Sequence, residues 1–261
     1  MHSMRNDDQV IVTGASSGIG SALARRLAAD GRRLVLVGRD VERLAATADD
    51  CRSLGAMDVR TVALDLRDRT LFGDVVCEIE REGPIGLFVA CAGILSGRRD
   101  GQAIESAEST HTVLDTNLLA TVDAVNAVLP GMLGLGRGQV LLVASLAAFA
   151  PLADAPAYSA SKAGLLSWGL AMRDALVGRG VTFTVACPGY VTTPMTARHI
   201  GRQPGRIDAA AAAERILDGL SRKRTIVAFP FLLGWLSRLA LLAPTFLRRL
   251  GMRATRFHVG E

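Results

Sequence analysis

The stretch APAYSASKAG (155–164) sets Tyr158 and Lys162 four residues apart, with Ser159, Ala160 and Ser161 between them. On a helix such a pair shares one face, about one turn apart. A phenol with a pKa of about 10 exchanges protons poorly at neutral pH. An ammonium one turn away favours the phenolate and lowers that pKa, which would make the tyrosine a usable proton donor and acceptor. Upstream, Ser145 closes the apolar run GQVLLVAS (138–145), where its hydroxyl could hold a carbonyl oxygen. Asn117, in DTNLLAT, is a further polar candidate. Each has an ordinary reading by itself: a tyrosine and a lysine on a helix surface, a serine capping a turn, an asparagine bonding its own helix backbone. Chemistry requires a fold that brings them together.

Short runs rich in Val and Leu punctuate the chain: QVIVTG (9–14), RLVLVG (33–38), VRTVAL (59–64), GLFVACAG (86–93), GQVLLVAS (138–145), VTFTVAC (181–187) and TIVAF (225–229). Helical periodicity fills the gaps, near 18–30, 41–53, 68–82, 110–133, 157–178 and 208–221. Strands apolar throughout are expected where helices cover both sheet faces. The pattern predicts an α/β fold, a doubly wound (Rossmann-like) parallel sheet of about seven strands in a single domain. The glycine-rich GMLGLGRG (131–138) is expected to close a helix and turn into a strand. Strand carboxyl ends line the ligand crevice of such a sheet, which is where Ser145 falls.

VTGASSGIGSALARRLA (12–28) follows the first strand and opens the first helix. Gly14, Gly18 and Gly20 fit T-G-x-x-x-G-x-G, in which backbone approaches a pyrophosphate and the helix N-terminus faces its charge. This places a dinucleotide on Gly14, Ser16, Ser17, Gly18, Ile19 and Gly20.

The glycine spacing together with Y-x-x-x-K resembles the short-chain dehydrogenase/reductase family, one-domain nicotinamide enzymes, over about residues 8 to 230. The resemblance implies that Tyr158 exchanges the proton, that Lys162 also bonds the nicotinamide ribose, and that Ser145 holds the carbonyl. It further implies that the helix backbone at Asn117 supports a water linking the lysine to solvent. Asp65, in ALDL, matches the aspartate beside the adenine. ACAG (90–93) stands where the family has N-N-A-G and supplies Ala92 and Gly93; Ala90 and Cys91 replace the two asparagines that help pin the central sheet. In CPGYVTTPMT (187–196), Pro188 and Gly189 are expected to form a turn, Val191 to contribute backbone and Thr193 to bond the nicotinamide carboxamide. Members commonly pair through the helices carrying Asn117 and Tyr158, so a homodimer or homotetramer is implied.

The end of the second strand reads VLVGRD (35–40). A carboxylate there usually bonds the ribose 2′-hydroxyl of NAD, and an arginine accommodates the 2′-phosphate of NADP. Gly38 occupies the usual acidic position and Arg39 follows, so NADP(H) is expected over NAD(H). A one-residue shift of the strand end would present Asp40 instead.

The net charge of +5 first suggests a polyanionic partner, but residues 221–261 carry +7 and leave the first 220 at −2. No nucleic-acid partner is expected for the domain. Cys51, Cys77, Cys91 and Cys187 are scattered without metal-ligand or disulfide spacing, so no metal is expected and free thiols in a reducing cytoplasm are the default. The opening MHSMRNDD shows no secretory signal, and a cytoplasmic location is expected.

The division expected is 1–230 as dinucleotide-binding and catalytic domain and 231–261 as an apolar, basic extension. Thirteen residues separate Pro230 from Pro244, too few for a bilayer-spanning helix. Gly234, Ser237, Arg238 and Leu241 form a narrow, less apolar stripe on an otherwise Leu, Phe and Trp surface, so such a helix must bury most of its face. It could do so in the domain or a subunit interface, or as a peripheral membrane contact through 231–256, with Arg248, Arg249, Arg253 and Arg256 toward anionic lipid. The segments 93–101, 146–156 and 190–200 should face the substrate. Leu146, Phe149, Pro151 and Leu152 favour a small apolar ketone or secondary alcohol. The leading expectation is an NADP(H)-dependent oxidoreductase interconverting the two. The alternatives are a non-catalytic nucleotide-binding or membrane-associated scaffold, and nucleotide-sugar epimerase or dehydratase chemistry, which would want a further substrate domain.

Overall fold

Successive residues of a strand point to opposite faces of a sheet, and in this chain both faces meet apolar helices. The computed structural model describes residue 5 and residues 7–99, 101–240 and 257–259. In chain order come β1 (Gln9–Thr13), α1 (Gly18–Ala29), β2 (Arg33–Gly38), α2 (Val41–Ser53), β3 (Asp58–Ala63), α3 (Arg69–Glu82) and β4 (Ile85–Ala90). Then follow α4 (Ala107–Leu114), a π-helical turn (Asp115–Leu119), α5 (Ala120–Gly134), β5 (Gly138–Val143), a 3-10 turn (Leu146–Ala148) and α6 (Pro156–Ala175). The remainder is β6 (Val181–Pro188), α7 (Pro194–Ala197), β7 (His199–Gly201), α8 (Ala209–Ser221), β8 (Ile226–Phe229), α9 (Phe231–Ala240) and β9 (Phe257–Val259).

Seven parallel strands form one sheet in the order β3-β2-β1-β4-β5-β6-β8. Alternate residues sort into two cores. Ile11, Val35, Phe88 and Val140 pack with Phe72 and Val76 of α3, Val125 of α5 and Leu165 of α6. Val10, Val12, Leu36 and Leu141 pack on the other face with Leu23 of α1, Leu44 of α2 and Ile216 of α8. Each such side chain stabilises the fold by about 1.5–3 kcal/mol relative to exposure, so the core and not the polar crevice holds the sheet. Strand order reverses between β1 and β4, and the crevice opens at the carboxyl ends of the strands around that point. Aspartates start α2, α3 and α8: Asp40, Asp68 and Asp208 each accept from the amide three residues on.

The expected sheet is found, and the sequence reading is corrected in four places. The helix expected over 110–133 is interrupted by the π turn at Asp115–Leu119. Pro188 is the last residue of β6, paired with Phe229 of β8, so Pro188 and Gly189 do not form a turn. The antiparallel pairing of β7 with β9 is an addition that periodicity did not suggest.

The fourth correction is α9, which turns its small and polar stripe inward. A Cβ on Gly234 would meet the Ala228 Cβ at 3.3 Å, Ser237 is buried, and the Arg238 guanidinium stands 4.9 Å from the Phe149 ring centre. Phe231, Trp235 and Leu236 are 76%, 50% and 55% exposed. A side chain at Gly234 would press on Ala228, so the small face of the helix suits this close contact while its aromatic face points outward. Leu241, Arg248, Arg249, Arg253 and Arg256 lie outside the described residues. Among the described residues no helix is long and apolar enough to cross a membrane.

Candidate active site

The turn from β1 into α1 is shaped by its glycines. Gly14 and Gly18 adopt left-handed backbone at φ +67° and +58°, which L side chains rarely take. A Cβ on Gly20 would lie 2.2 Å from the Gly14 carbonyl oxygen, so helix and loop are in contact. Ser17 caps α1 without a side-chain bond, and the first-turn amides point out along the helix axis, as an anionic group requires. The cradle that the glycines leave therefore fits a dinucleotide pyrophosphate.

The cleft built on this turn is lined by Gly14, Ser16, Ser17, Gly18, Ile19 and Gly20. Toward the β2–β3 side it continues to Arg39, Asp40, Arg43 and Asp65, and toward the β5–β6 side to Ala92, Gly93, Ser145, Tyr158 and Lys162. Pro188, Gly189, Val191 and Thr193 complete it. The residues singled out for cofactor and proton transfer line this one cleft except Asn117, which is fully buried behind it, whereas Leu146, Phe149, Pro151 and Leu152, expected to face the substrate, are not in its lining.

At the β2 end, β2 stops at Gly38 and no register shift occurs. Asp40 is committed to α2: it accepts from the Arg43 amide at 3.0 Å and pairs with the Arg43 guanidinium at 3.2 Å. Arg39 stays 60% exposed, its nearest acid being Asp65 at 3.7 Å. Asp65 is held by Arg67, which donates from its backbone and from its guanidinium at 2.8 Å. These bonds outweigh burial and bring the Asp65 carboxyl down to about 2.

The loop after β4, where asparagine side chains are replaced by Ala90 and Cys91, is secured from elsewhere. The Thr13 hydroxyl accepts from the amides of Cys91 and Ala92 at 3.1 and 3.2 Å and donates to the Val89 carbonyl. Burial pushes the Cys91 thiol up to about 12, so it is a neutral packing group. Asn117 accepts from the Ile94 amide at 2.8 Å and donates to the Ile94 carbonyl at 2.9 Å and to Ser161 at 3.2 Å. Its place in the π turn aims it at this loop and at α6 together, and wide turns of this kind recur at functional sites.

Ser145 begins the 3-10 turn, accepting from the Ala147 amide at 3.1 Å. Tyr158 and Lys162 lie on the first two turns of α6, and the buried Glu105 carboxylate accepts from the Ala157 amide at 2.6 Å at the start of that helix. Lys162 is 5% exposed; its Nζ donates to the Val143 carbonyl at 2.9 Å and stands 5.7 Å from the centre of the Tyr158 ring. Burial brings the ammonium down to about 8. The Tyr158 phenol is pushed up by burial, which outweighs its hydrogen bond with Ser145. This departs from the expectation that Lys162 lowers that pKa. The ammonium is bonded to backbone and the ring lies in an apolar wall, so desolvation wins.

Beyond β6, Thr193 caps α7, accepting from the Thr196 amide at 3.2 Å, and its Cγ2 would stand 3.0 Å from a Cβ on Gly18. The reading from sequence passed over Arg43 and Glu105, and it held Thr13, Met195 and Thr196 only as members of a motif or segment, without a role of their own. Arg43 carried a usable signal: it lies four residues beyond Arg39, across the start of a helix.

A doubly wound parallel sheet with a glycine-rich turn at its first crossover defines a nucleotide-binding α/β protein. A family model described as short chain dehydrogenase matches residues 8–203, and the chain belongs to that family. It is 34% identical over 235 residues to an uncharacterized oxidoreductase of Myxococcus xanthus, covering 90% of this chain and 92% of that protein. It is 37% identical over 190 residues to ketoacyl reductase HetN of Nostoc sp., covering 72% of this chain and spanning 65% of that protein's length. Among solved structures it is similar to actinorhodin polyketide ketoreductase with NADPH, at a TM-score of 0.78 and 28% identity over 90% of this chain and 99% of that one. The chain is accordingly an oxidoreductase of this family, with a nicotinamide cofactor and carbonyl–alcohol chemistry.

Proposed function

We propose that the chain reduces an apolar ketone to a secondary alcohol, reversibly, with NADP(H), and that Tyr158 is its proton donor. The observation that carries the reading is the meeting of Ser145, Tyr158 and Lys162 with the glycine turn in one cleft. A bound nicotinamide supplies the hydride. Ser145 Oγ holds the carbonyl oxygen and Tyr158 Oη gives it a proton as charge develops there. The raised Tyr158 pKa keeps that proton in place at neutral pH, which suits the reductive direction. Lys162, positive at pH 7, orients the ribose and offsets the negative charge left on the phenol. Asn117 keeps the loop after β4 and helix α6 in register and so positions Lys162. Gly14, Gly18 and Gly20 bind the pyrophosphate. Ala92, Gly93, Pro188, Gly189, Val191 and Thr193 flank the nicotinamide half, and Asp65 the adenine.

Preference for NADP(H) is supported by the free approach to Arg39 and by the engagement of Asp40 as a helix cap. Leu146 and Phe149, expected to face the substrate, are buried in the core, and an apolar substrate is supported instead by Ile94, Val191 and Met195 in the cleft lining. With NADPH absorbance as readout, a panel of hydroxysteroid-type ketones, 3-oxoacyl thioesters and lipid ketones should include turned-over members, and charged sugars none. Turnover confined to charged carbonyls would sink the substrate class.

Assembly as a homodimer or homotetramer belongs to the same reading, with 231–261 as an extension whose β9 returns to pair with β7 of the domain. The outward Phe231, Trp235 and Leu236, followed in sequence by four arginines, favour contact with an anionic membrane surface. Trp235 fluorescence should shift to the blue with phosphatidylserine vesicles and not with phosphatidylcholine; an unchanged spectrum in both would remove the membrane contact.

A further inference from the structure

Helix α6 carries both Tyr158 and Lys162, yet its own residues do not cap its first turn. Ala155 stands at the N-cap without a side-chain bond, and Pro156 at the first helical position has no N–H to donate. The first amide of the helix is therefore that of Ala157, beside Tyr158. It donates to Glu105 Oε1 at 2.6 Å, reaching a residue 52 positions earlier in the loop between β4 and α4. Glu105 is 8% exposed, and its Oε2 is buried without a hydrogen-bond partner among the described residues. A carboxylate at this end of α6 meets the positive end of the helix dipole, which offsets the charge where water does not.

The next residue starts a second helix. Ser106 caps α4, accepting from the Ser109 amide at 3.2 Å. α4 runs on into the π turn, where Asn117 donates to Ser161 Oγ at 3.2 Å, and Ser161 in turn donates to the Tyr158 carbonyl at 2.7 Å. α6 is thus tied to the α4 side at Ala157 and again at Ser161, about 6 Å apart along the axis. Tyr158 lies between the two ties and Lys162 directly after the second. One tie would leave a pivot, whereas two fix the rotation of the helix and so the directions of both side chains. Glu105 is absent from the cleft lining, so its effect on the reaction passes through α6.

We propose that Glu105 is a positioning residue for proton transfer: by capping α6 from another loop it holds Tyr158 and Lys162 in reacting geometry. The proposal rests on Tyr158 being the proton donor, and one arm of its test does not depend on turnover. Glu105→Gln keeps an acceptor oxygen and the shape of the side chain, whereas Glu105→Ala removes both. Each is compared with the parent protein in ketone reduction and in NADPH affinity, with kcat referred to the concentration of NADPH-binding sites so that unfolded protein is not counted. The second arm uses the presence of only two tyrosines in the chain. With Tyr190→Phe as common background, ultraviolet titration reads the Tyr158 phenol alone.

Glu105→Ala should lower kcat about 10–100-fold, the scale of a small misplacement of reacting groups. KM and NADPH affinity should change little, and Glu105→Gln should recover most of the loss. In the titration, Glu105→Ala should bring the phenol down from its raised value toward the ordinary one, as the loosened helix start admits water. Glu105→Gln should leave it raised. Parent-like kcat in Glu105→Ala overturns the proposal, as does a Glu105→Gln variant as slow as Glu105→Ala, which would make the charge and not the cap responsible. If Tyr158→Phe retains activity, the proton-donor reading fails by itself. The titration then decides whether Glu105 holds Tyr158, and an unchanged phenol in Glu105→Ala sinks that role as well.

Discussion

Tyr158→Phe is expected to lower ketone reduction by roughly 10²–10⁴-fold and to leave NADPH affinity unchanged. The substitution removes one oxygen and keeps the ring against the Leu95, Ala155, Phe257 and Val259 cluster. Its cost to stability is expected to be small, because the ring and its apolar packing remain. Activity retained in this variant would mean that another group delivers the proton. Fluorescence titration with NADPH beside the rate assay separates loss of chemistry from loss of binding.

The same pair sets a pH dependence. Tyr158 is raised above its ordinary value, so it remains protonated through the neutral range, whereas Lys162 at about 8 loses its charge first as pH rises. Reduction in the parent protein should therefore decline above about pH 8 as the ammonium discharges. Oxidation of the alcohol, which needs an unprotonated phenol, should climb with pH. A reduction profile flat through pH 9 would contradict this account of Lys162.

Arg39→Ala should weaken NADPH binding by roughly 10–100-fold, the range for losing a hydrogen bond to a charged partner, and should leave NADH binding nearly as it was. The side chain is 60% exposed and reaches its nearest acid at 3.7 Å, so its removal disturbs little else. Asp40 does not take its place as a ribose ligand, because it caps α2 through the Arg43 amide. Competition between the two cofactors, measured as KM for each, checks this. Equal weakening of both would mean that Arg39 supports the loop and does not read the 2′-phosphate. A parent protein that prefers NADH would overturn the cofactor assignment itself.

The sheet was legible because its strands are buried on both faces, which leaves uninterrupted runs such as QVIVT and LFVA. The glycine turn was legible because left-handed backbone and close approach both restrict the residue type. Legibility stopped where a position depends on partners distant in sequence. Thr13 is visible in the sequence only as the first letter of the glycine motif, and its role emerges when the loop after β4 comes within reach of its hydroxyl. β7 and β9 are three residues each and exist because Arg98 and Asp154 hold the strand from outside. The face that α9 turns inward was not legible because hydrophobicity weighs every apolar residue alike and does not register that small residues such as Gly234 suit a close contact with β8.

The wide turn at Asp115–Leu119 also solves a problem of helical phase. Buried positions recur every four residues on either side of it, at Val113, Asn117, Thr121, Val125 and Leu129 and again at Thr116, Ala120, Ala124, Val128 and Met132. A straight helix of 3.6 residues per turn lets such a stripe drift by about 40° at each repeat, nearly half a revolution by the fourth. The extra residue taken up in the π turn returns part of that drift. Asn117 thus sits where the helix must be underwound to keep both of its ends on the sheet, and the irregularity that aims its amide at Ile94 is one that the packing of α5 already demands.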